Sequence, residues 1–126
     1  MPVPSSDLTG RRVLVVEDET LITMLLEDAL DEMGCELAGA ASRYQDAMDK
    51  ATSLAFDVAI LDVNLSGEKT FPIAAALAER GVPFVFSTGY GAGSLPAPLQ
   101  KTPILHKPFQ LLDLERALHA AMDAKV

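Results

Sequence analysis

The stretch RVLVVEDE, residues 12–19, joins an unbroken apolar run to three acidic residues. Arg12 to Val16 has the length and the β-branched content of a strand. The next residues, Thr20 to Met33, repeat apolar side chains at helical spacing and end before Gly34, a common helix terminator. Because a continuously apolar strand is typical of a parallel sheet covered on both faces, this stretch predicts the first β–α unit of an α/β fold.

The rest of the chain repeats the same alternation of strand-length and helix-length segments. Further strands are predicted at Glu36–Ala41, Asp57–Leu61, Pro83–Phe86 and Ile104–His106, and further helices at Tyr44–Thr52, Thr70–Arg80 and Leu111–Met122. This order predicts a flavodoxin-like, doubly wound, five-stranded parallel sheet of strand order 2-1-3-4-5 with helices on both faces. Residues 89–103 contain three glycines and three prolines, so the fourth helix is expected to be short, irregular or absent.

Length and charge narrow the class of protein. The 126 residues suffice for one domain, predicted over residues 11–124 after a flexible leader at residues 1–10. Lys and Arg number 10 against 18 Asp and Glu, and the net charge of −8 disfavours nucleic acid and anionic membrane as partners. The sequence has no apolar run of about 20 residues and no signal-peptide pattern. Its single cysteine, Cys35, rules out an internal disulfide. We therefore expect a cytoplasmic domain.

Carboxylates follow two of the predicted strands. Glu17 and Asp18 come directly after strand 1, and Asp62 comes directly after strand 3. In the predicted sheet the carboxyl ends of these strands are neighbours at the switch point where ligands bind, so the carboxylates are expected to converge. Two carboxylates about 4 Å apart repel by about 4 kcal/mol at an effective dielectric near 20, which favours protonation or a bound cation, above all Mg²⁺. Taken singly, these acids could instead be helix caps or turn residues.

A hydroxyl and an ammonium group follow the last two strands. Thr88 comes after strand 4 and Lys107 after strand 5, although each alone is typical of a turn or a solvated surface. Acids, hydroxyl and ammonium are thus expected at one edge of the sheet, contributed by four different strands. This set fits phosphoryl transfer to a carboxylate: Asp62 as nucleophile, a metal bridging it to the phosphoryl group, and Thr88 and Lys107 on the remaining oxygens.

In these positions the chain resembles the response regulator receiver domain of two-component signalling, from about residue 11 to residue 122. The motifs that carry the resemblance are the pair Glu17-Asp18, the single Asp62, the step Thr88-Gly89 and the pair Lys107-Pro108. The resemblance implies that Asp62 accepts a phosphoryl group from a phospho-histidine of a sensor histidine kinase or a histidine phosphotransfer protein, with Mg²⁺ as cofactor. It also implies a cis peptide bond before Pro108.

The resemblance further assigns the metal ligands and the kind of activity. Asp18 and Asp62 would bind Mg²⁺ directly, Glu17 partly through water, and Asn64 through its backbone carbonyl. The domain would catalyse only its own phosphotransfer and dephosphorylation, so it is not expected to be an enzyme in the usual sense. It would switch protein–protein contacts, or relay or drain phosphate.

The sequence FSTGY at residues 86–90 is similar to the FAT GUY subgroup of receivers, with Ser87 at the place of the usual Ala. The subgroup implies a degenerate fourth helix and a partner kinase of the HWE or a related class. Ile104 stands three residues before Lys107, where ordinary receivers carry Tyr or Phe, so the usual aromatic switch is not expected. Tyr90 and the segment 89–103 are predicted to carry the response instead, through ordering.

The first helix predicts a docking surface. On a wheel of about 100° per residue, the buried stripe is predicted to consist of Ile22, Leu25, Leu26, Ala29 and Met33. Met24 lies outside this stripe and Leu21 lies at its edge. They could be isolated exposed apolar residues. Alternatively, together with Pro108, they form a docking patch for a helical partner that carries the phospho-histidine.

Other functions remain open at the level of the sequence. A non-phosphorylated scaffold would have the same fold. A flavodoxin-like cofactor-binding module would share the architecture, although the acids at residues 17–19 would repel a cofactor phosphate. An aspartyl-phosphate hydrolase would need its nucleophile after strand 1 rather than strand 3. The chain could also be the receiver fragment of a hybrid histidine kinase.

Overall fold

The computed structural model describes residues 8–89 and 95–124. The strands are β1 (Arg12–Val16), β2 (Glu36–Ala41), β3 (Val58–Asp62), β4 (Asn64–Leu65), β5 (Glu68–Lys69), β6 (Phe84–Thr88) and β7 (Ile104–His106), and the α-helices are α1 (Thr20–Glu32), α2 (Tyr44–Ser53), α3 (Phe71–Arg80) and α4 (Leu111–Ala124). Five strands form a parallel sheet in the order β2-β1-β3-β6-β7, which confirms the predicted order 2-1-3-4-5. The predicted flavodoxin-like α/β class is confirmed with it.

Two apolar clusters cover the two faces of the sheet. On the α1/α4 face, Val15, Ile60, Val85 and Leu105 of the sheet pack with helical residues such as Leu26 and Leu114. On the α2/α3 face, the sheet residues Leu14, Val16, Leu61 and Phe86 pack with Ile73 and Leu77. Because side chains of a strand alternate between its two faces, both clusters need apolar residues at successive positions. This requirement explains the continuous apolar runs of β1 and β3, which are fully buried at nearly every position.

The predicted buried stripe of α1 is wrong at Leu25, which is 49% exposed. The helix instead buries Leu26, Leu30 and Met33, so Leu25 lies about 100° away from the centre of the packed face. Met24 and Leu21 are exposed, at 56% and 67%. Leu21, Met24 and Leu25 therefore form one exposed apolar surface, named the α1 patch below.

Strand ends differ from the predictions in a way that matters for the site. The third and fourth strands of the main sheet extend to Asp62 and Thr88, so both residues are the last of their strands and not the first of the following loops. The short antiparallel hairpin of β4 and β5, which the sequence predicts only as a turn, begins two residues after Asp62. Gly34 and Gly81 end α1 and α3 as predicted, both with the left-handed φ that glycine adopts most easily (79° and 72°).

The segment between β6 and β7 has no regular α-helix in its described residues. Ala97–Leu99 form a 3-10 helix, which agrees with the predicted short or irregular fourth helix. Tyr90, the predicted switch residue, lies outside the described residues. Ile104, the other predicted switch residue, is partly buried in β7, pairs with Phe86 and packs on the α2/α3 face.

The end of the predicted leader is packed against the domain. Leu8 is 1% exposed, and its carbonyl accepts the Cys35 thiol at 3.3 Å. The N–H of Gly10 donates to the carbonyl of Gly34 at 2.7 Å. The packed structure thus includes residues 8–10, ahead of the boundary expected at residue 11. Among the described residues no helix is long and apolar enough to span a membrane.

Candidate metal and phosphoryl-transfer site

The carboxyl ends of the parallel strands bring the predicted acids together. Glu17 follows β1, Asp62 ends the neighbouring β3, and oxygen atoms of Glu17, Asp18 and Asp62 all lie within 4.8 Å of one another. Their convergence at this edge was the central expectation from the sequence, and it is confirmed. We call these three residues the acidic cluster.

Glu17 is the most buried member of the acidic cluster, at 2% exposure. Its Oε2 accepts the N–H of Glu19 at 3.2 Å. Its Oε1 lies 3.1 Å from Nζ of Lys107 but makes no hydrogen bond within the described part of the chain. Loss of hydration on burial, followed by repulsion from Asp62, raises the pKa of Glu17 to about 7. The cluster therefore holds a carboxylate whose ionisation near neutral pH is opposed by its surroundings and would be favoured by added positive charge.

Asp62 is held in place from both its side chain and its backbone. Its Oδ1 accepts the N–H of Asn64 at 3.1 Å, and its Oδ2 accepts Nζ of Lys107 at 3.3 Å. The Thr70 hydroxyl donates to the main-chain carbonyl of Asp62 at 2.7 Å. These contacts fix the end of β3, and the carboxylate remains 6% exposed.

Asp18 joins the edge of β1 to the hairpin that follows β3. Its Oδ2 accepts the N–H of Ser66 at 2.8 Å and the Ser66 hydroxyl at 3.3 Å. Burial opposes ionisation of Asp18, but the hydrogen bonds from Ser66 outweigh it and lower the pKa of this carboxyl. Asn64, predicted to offer its backbone carbonyl to the metal, lies in β4, and its N–H is already bonded to Asp62.

Lys107 and Thr88 complete the set predicted from the sequence. Burial disfavours the ammonium, but Asp62 and then Glu17 overcome this effect and raise the pKa of Lys107. Thr88 is 4% exposed at the end of β6, and its carbonyl accepts the N–H of Lys107 at 3.0 Å. The peptide bond between Lys107 and Pro108 is cis, as the resemblance implied, and Pro108 is exposed.

The acidic cluster fits a hard divalent cation. Its donors are carboxylate oxygens from three side chains, the ligand type that Mg²⁺ prefers. The buried Oε1 of Glu17, which lacks a hydrogen bond, is an acceptor that a cation or its bound water would satisfy. The residues present therefore fit the metal that the sequence predicted.

Two supporting residues were missed by sequence reasoning. Ser66 bonds Asp18, and Thr70 bonds the backbone of Asp62. The turn-forming sequence at residues 64–67 was a visible signal for the first, because Asn, Ser and Gly mark a tight turn next to Asp62. Nothing in the sequence marks Thr70, whose hydroxyl faces inward only because α3 begins there.

Fold and site together define a flavodoxin-like α/β domain with a carboxylate cluster at the switch point of its parallel sheet. The family model of the response regulator receiver domain matches residues 13–119. The chain thus belongs to this family and is a receiver domain of two-component signalling. Membership decides against the flavodoxin-like cofactor module considered from the sequence.

Relatives agree with this assignment. The transcriptional regulatory protein PdtaR of Mycobacterium tuberculosis is 33% identical over 129 residues, which cover 97% of this chain but 63% of PdtaR. The solution structure of SdrG from Sphingomonas melonis Fr1 is 40% identical with a TM-score of 0.80, covering 90% of this chain and 97% of SdrG. The BeF3-activated conformation of SdrG from Pseudomonas melonis Fr1 is also 40% identical, with a TM-score of 0.76 and coverage of 88% and 95%.

Proposed function

We propose that Asp62 accepts a phosphoryl group from a phospho-histidine of a sensor histidine kinase or a histidine phosphotransfer protein, in a reaction that requires Mg²⁺. The observation that carries this proposal is that the Asp62 carboxylate adjoins both acids and a cation. Carboxylate oxygens of Glu17, Asp18 and Asp62 lie within 4.8 Å of one another, and Nζ of Lys107 lies 3.3 Å from Oδ2 of Asp62. A cytoplasmic location, where such kinases act, is part of the same proposal.

The contacts of Asp62 indicate which of its atoms reacts. Its Oδ1 is bonded to the N–H of Asn64, so Oδ2, which contacts only Lys107 among the described hydrogen bonds, is the nucleophile. Oδ2 forms the new bond to phosphorus while the P–N bond of the phospho-histidine breaks. The electron pair of that bond stays on the imidazole nitrogen, which takes up a proton from solvent.

Positive charge and hydroxyl donors then stabilise the transferred group. The Thr88 hydroxyl at the end of β6 and Lys107 directly after β7 are the donors for phosphoryl oxygens. When bound, Mg²⁺ supplies positive charge between the acids and the incoming phosphoryl oxygens. Glu17, Asp18, Asp62 and the Asn64 carbonyl would hold it.

The proposal is tested by intact mass spectrometry of the protein after incubation with acetyl phosphate. We expect a gain of one phosphoryl group with Mg²⁺ and no gain with excess EDTA. A sensor kinase of the HWE class, supplied with ATP, tests the predicted donor in the same assay. If neither donor gives an adduct in the presence of Mg²⁺, the chain is a non-phosphorylated scaffold.

A switch in protein contacts is the output that best fits a similar structure. One related SdrG structure is the BeF3-activated conformation, and BeF3 bound to a carboxylate has the shape and charge of a phosphoryl group. We infer that the segment 89–103 of this chain, which includes Tyr90, responds when Asp62 is modified, with Ile104 in place of the usual aromatic residue. Chemical-shift changes of its amides on addition of Mg²⁺ and BeF3 test this, and unchanged shifts would contradict it.

The α1 patch is proposed as the surface that meets the phosphodonor. Leu21, Met24 and Leu25 are all about half exposed or more. They lie near the start of α1, which begins three residues after Glu17, so the α1 patch is close to the site. Exposed Pro108, directly after Lys107, is proposed as a further part of the docking surface. An apolar helix face of this kind fits a partner helix that carries the phospho-histidine.

Replacing Met24 with Asp is expected to slow phosphotransfer from the cognate kinase about tenfold or more, because the change buries a charge in an apolar interface. Phosphorylation by acetyl phosphate, which needs no docking, should be unchanged. The rates are measured by intact mass over time. Leu37→Asp places the same charge at a 43% exposed residue of β2 and is the matched control. Equal kinase rates for Met24→Asp and the wild type would remove the α1 patch from the proposal.

A further inference from the structure

Ser87 carries a buried hydroxyl that no contact explains. The residue is 0% exposed in β6, and its Oγ makes no hydrogen bond to the described part of the chain. A buried hydroxyl without a partner is unfavourable, so such a group needs a physical reason. The contacts described above give it none.

The hydroxyl lies on the same face of the sheet as the charged groups of the site. Ser87 is in register with Asp62 on the adjacent β3. Val85, two residues earlier in β6, and Ile60, two residues before Asp62, both belong to the cluster on the α1/α4 face. Because side chains two residues apart share a face, Ser87 and Asp62 stand side by side on that face.

The side chain of Lys107 crosses β6 at this point. Lys107 directly follows β7, yet its Nζ lies 3.3 Å from Oδ2 of Asp62 on β3. In the sheet order β3-β6-β7, the only strand between the two residues is β6. Leu105, the partner of Ser87 in β7, lies on the α1/α4 face two residues before Lys107, so the path from Lys107 to Asp62 leads across β6 next to Ser87.

Metal binding would leave the Lys107 ammonium in need of a new hydrogen-bond acceptor, and the Ser87 hydroxyl can be that acceptor. In the structure, Nζ of Lys107 contacts Oε1 of Glu17 and Oδ2 of Asp62. A divalent cation in the acidic cluster uses carboxylates of the same residues and repels the ammonium. The lysine side chain is only 19% exposed, so its displaced ammonium requires a nearby acceptor.

We propose that the Ser87 hydroxyl accepts a hydrogen bond from the Lys107 ammonium when a divalent metal occupies the acidic cluster, and so acts as a positioning residue. The inference rests on the proposed function, because it requires the metal site. The hydroxyl thereby gains the partner that it lacks among the described contacts. It keeps the ammonium beside Asp62, ready for the incoming phosphoryl group.

The test compares Mg²⁺ binding by the wild type and by Ser87→Ala in the full chain, using isothermal titration calorimetry. We expect the variant to bind Mg²⁺ about tenfold more weakly, or about 1.4 kcal/mol. Its melting temperature in EDTA should be equal to or above that of the wild type, because no hydrogen bond is lost there. The ¹⁵N resonance of the Lys107 ammonium should shift on Mg²⁺ addition in the wild type and shift differently in the variant.

Two controls separate this role from general damage. Ser87→Cys keeps nearly the same volume with a poorer acceptor and should resemble Ser87→Ala. Val85→Ala truncates the neighbouring residue on the same face and should lower the melting temperature without weakening Mg²⁺ binding. Equal Mg²⁺ affinities for the wild type and Ser87→Ala would overturn the inference alone, whereas a wild type that binds no Mg²⁺ would overturn the proposed metal site itself.

Discussion

Asp62→Asn is expected to abolish phosphoryl acceptance from both acetyl phosphate and a kinase. An amide lacks the anionic oxygen that must attack phosphorus, and it is a poorer metal ligand than a carboxylate. The backbone should stay in place, because the contacts from Thr70 and Ser87 to the end of β3 involve main-chain atoms of residues 62 and 63. Intact mass after incubation with Mg²⁺ and donor measures the effect, and we expect no adduct above background.

The matched control for this variant is Asp57→Asn. Asp57 immediately precedes β3, whereas Asp62 ends it, so the two acids lie at opposite edges of the same sheet. Asp57 accepts the N–H of Arg12 through Oδ2 at 2.8 Å and has no contact with the site. We expect Asp57→Asn to gain a phosphoryl group like the wild type. An adduct on Asp62→Asn, localised by peptide mapping to another residue, would show that Asp62 is not the acceptor.

Most of the site could be predicted because parallel sheets show two simple regularities. Their carboxyl ends share an edge, and their continuous apolar runs are easy to find in a sequence. Those rules were enough to place Glu17 and Asp62 together from residues 45 apart. Lys107 followed in the same way, because its strand is the last of the series. The rules depend on chain order and not on packing detail, which is why they succeed without coordinates.

Packing detail accounts for the errors and omissions. A helical wheel of α1 gives the angles between side chains but does not show which side of the helix faces the sheet. The apolar residues from Leu21 to Leu30 cover a wide arc and allow more than one buried stripe. The sheet selects the stripe containing Leu26 and Leu30, which leaves Leu25 exposed. Likewise, the burial of Ser87 without a partner depends on what the neighbouring strands place beside it. Such features arise from tertiary contacts that no local pattern encodes.

Glu17→Gln is expected to stabilise the metal-free protein at pH 8 by about 3 kcal/mol, since one pKa unit corresponds to about 1.4 kcal/mol. The folded protein raises the pKa of Glu17 from the ordinary 4.5 to about 7, because burial and then Asp62 oppose its charge. Below pH 4.5 the carboxyl is protonated in both states, so the variant gains nothing. As pH rises toward 7, only the unfolded chain loses the proton, and the wild type is progressively destabilised. Urea unfolding in EDTA between pH 4.5 and 8 measures the difference.

Exposed Glu19 provides the control for this variant. Glu19→Gln removes the same formal charge from a solvated side chain two residues away and should leave the unfolding curve nearly unchanged at each pH. The Gln side chain at position 17 can still accept hydrogen bonds from Lys107 and from the Glu19 N–H, so the comparison isolates the charge. If Glu17→Gln is no more stable than the wild type at pH 8, burial does not oppose the ionisation of Glu17.

Addition of Mg²⁺ should narrow this difference in stability. The metal binds the folded wild type and not the unfolded chain, so millimolar Mg²⁺ raises the wild-type melting temperature. Glu17→Gln lacks one anionic ligand of the acidic cluster and should respond far less. Because Mg²⁺ competes with the proton on Glu17, its binding to the wild type should also weaken as pH falls below about 7, with proton release on binding. The Glu17 carboxylate, which destabilises the folded protein without Mg²⁺, is thus also the ligand that strengthens Mg²⁺ binding. If Mg²⁺ leaves the melting temperatures of both proteins unchanged, this link is contradicted.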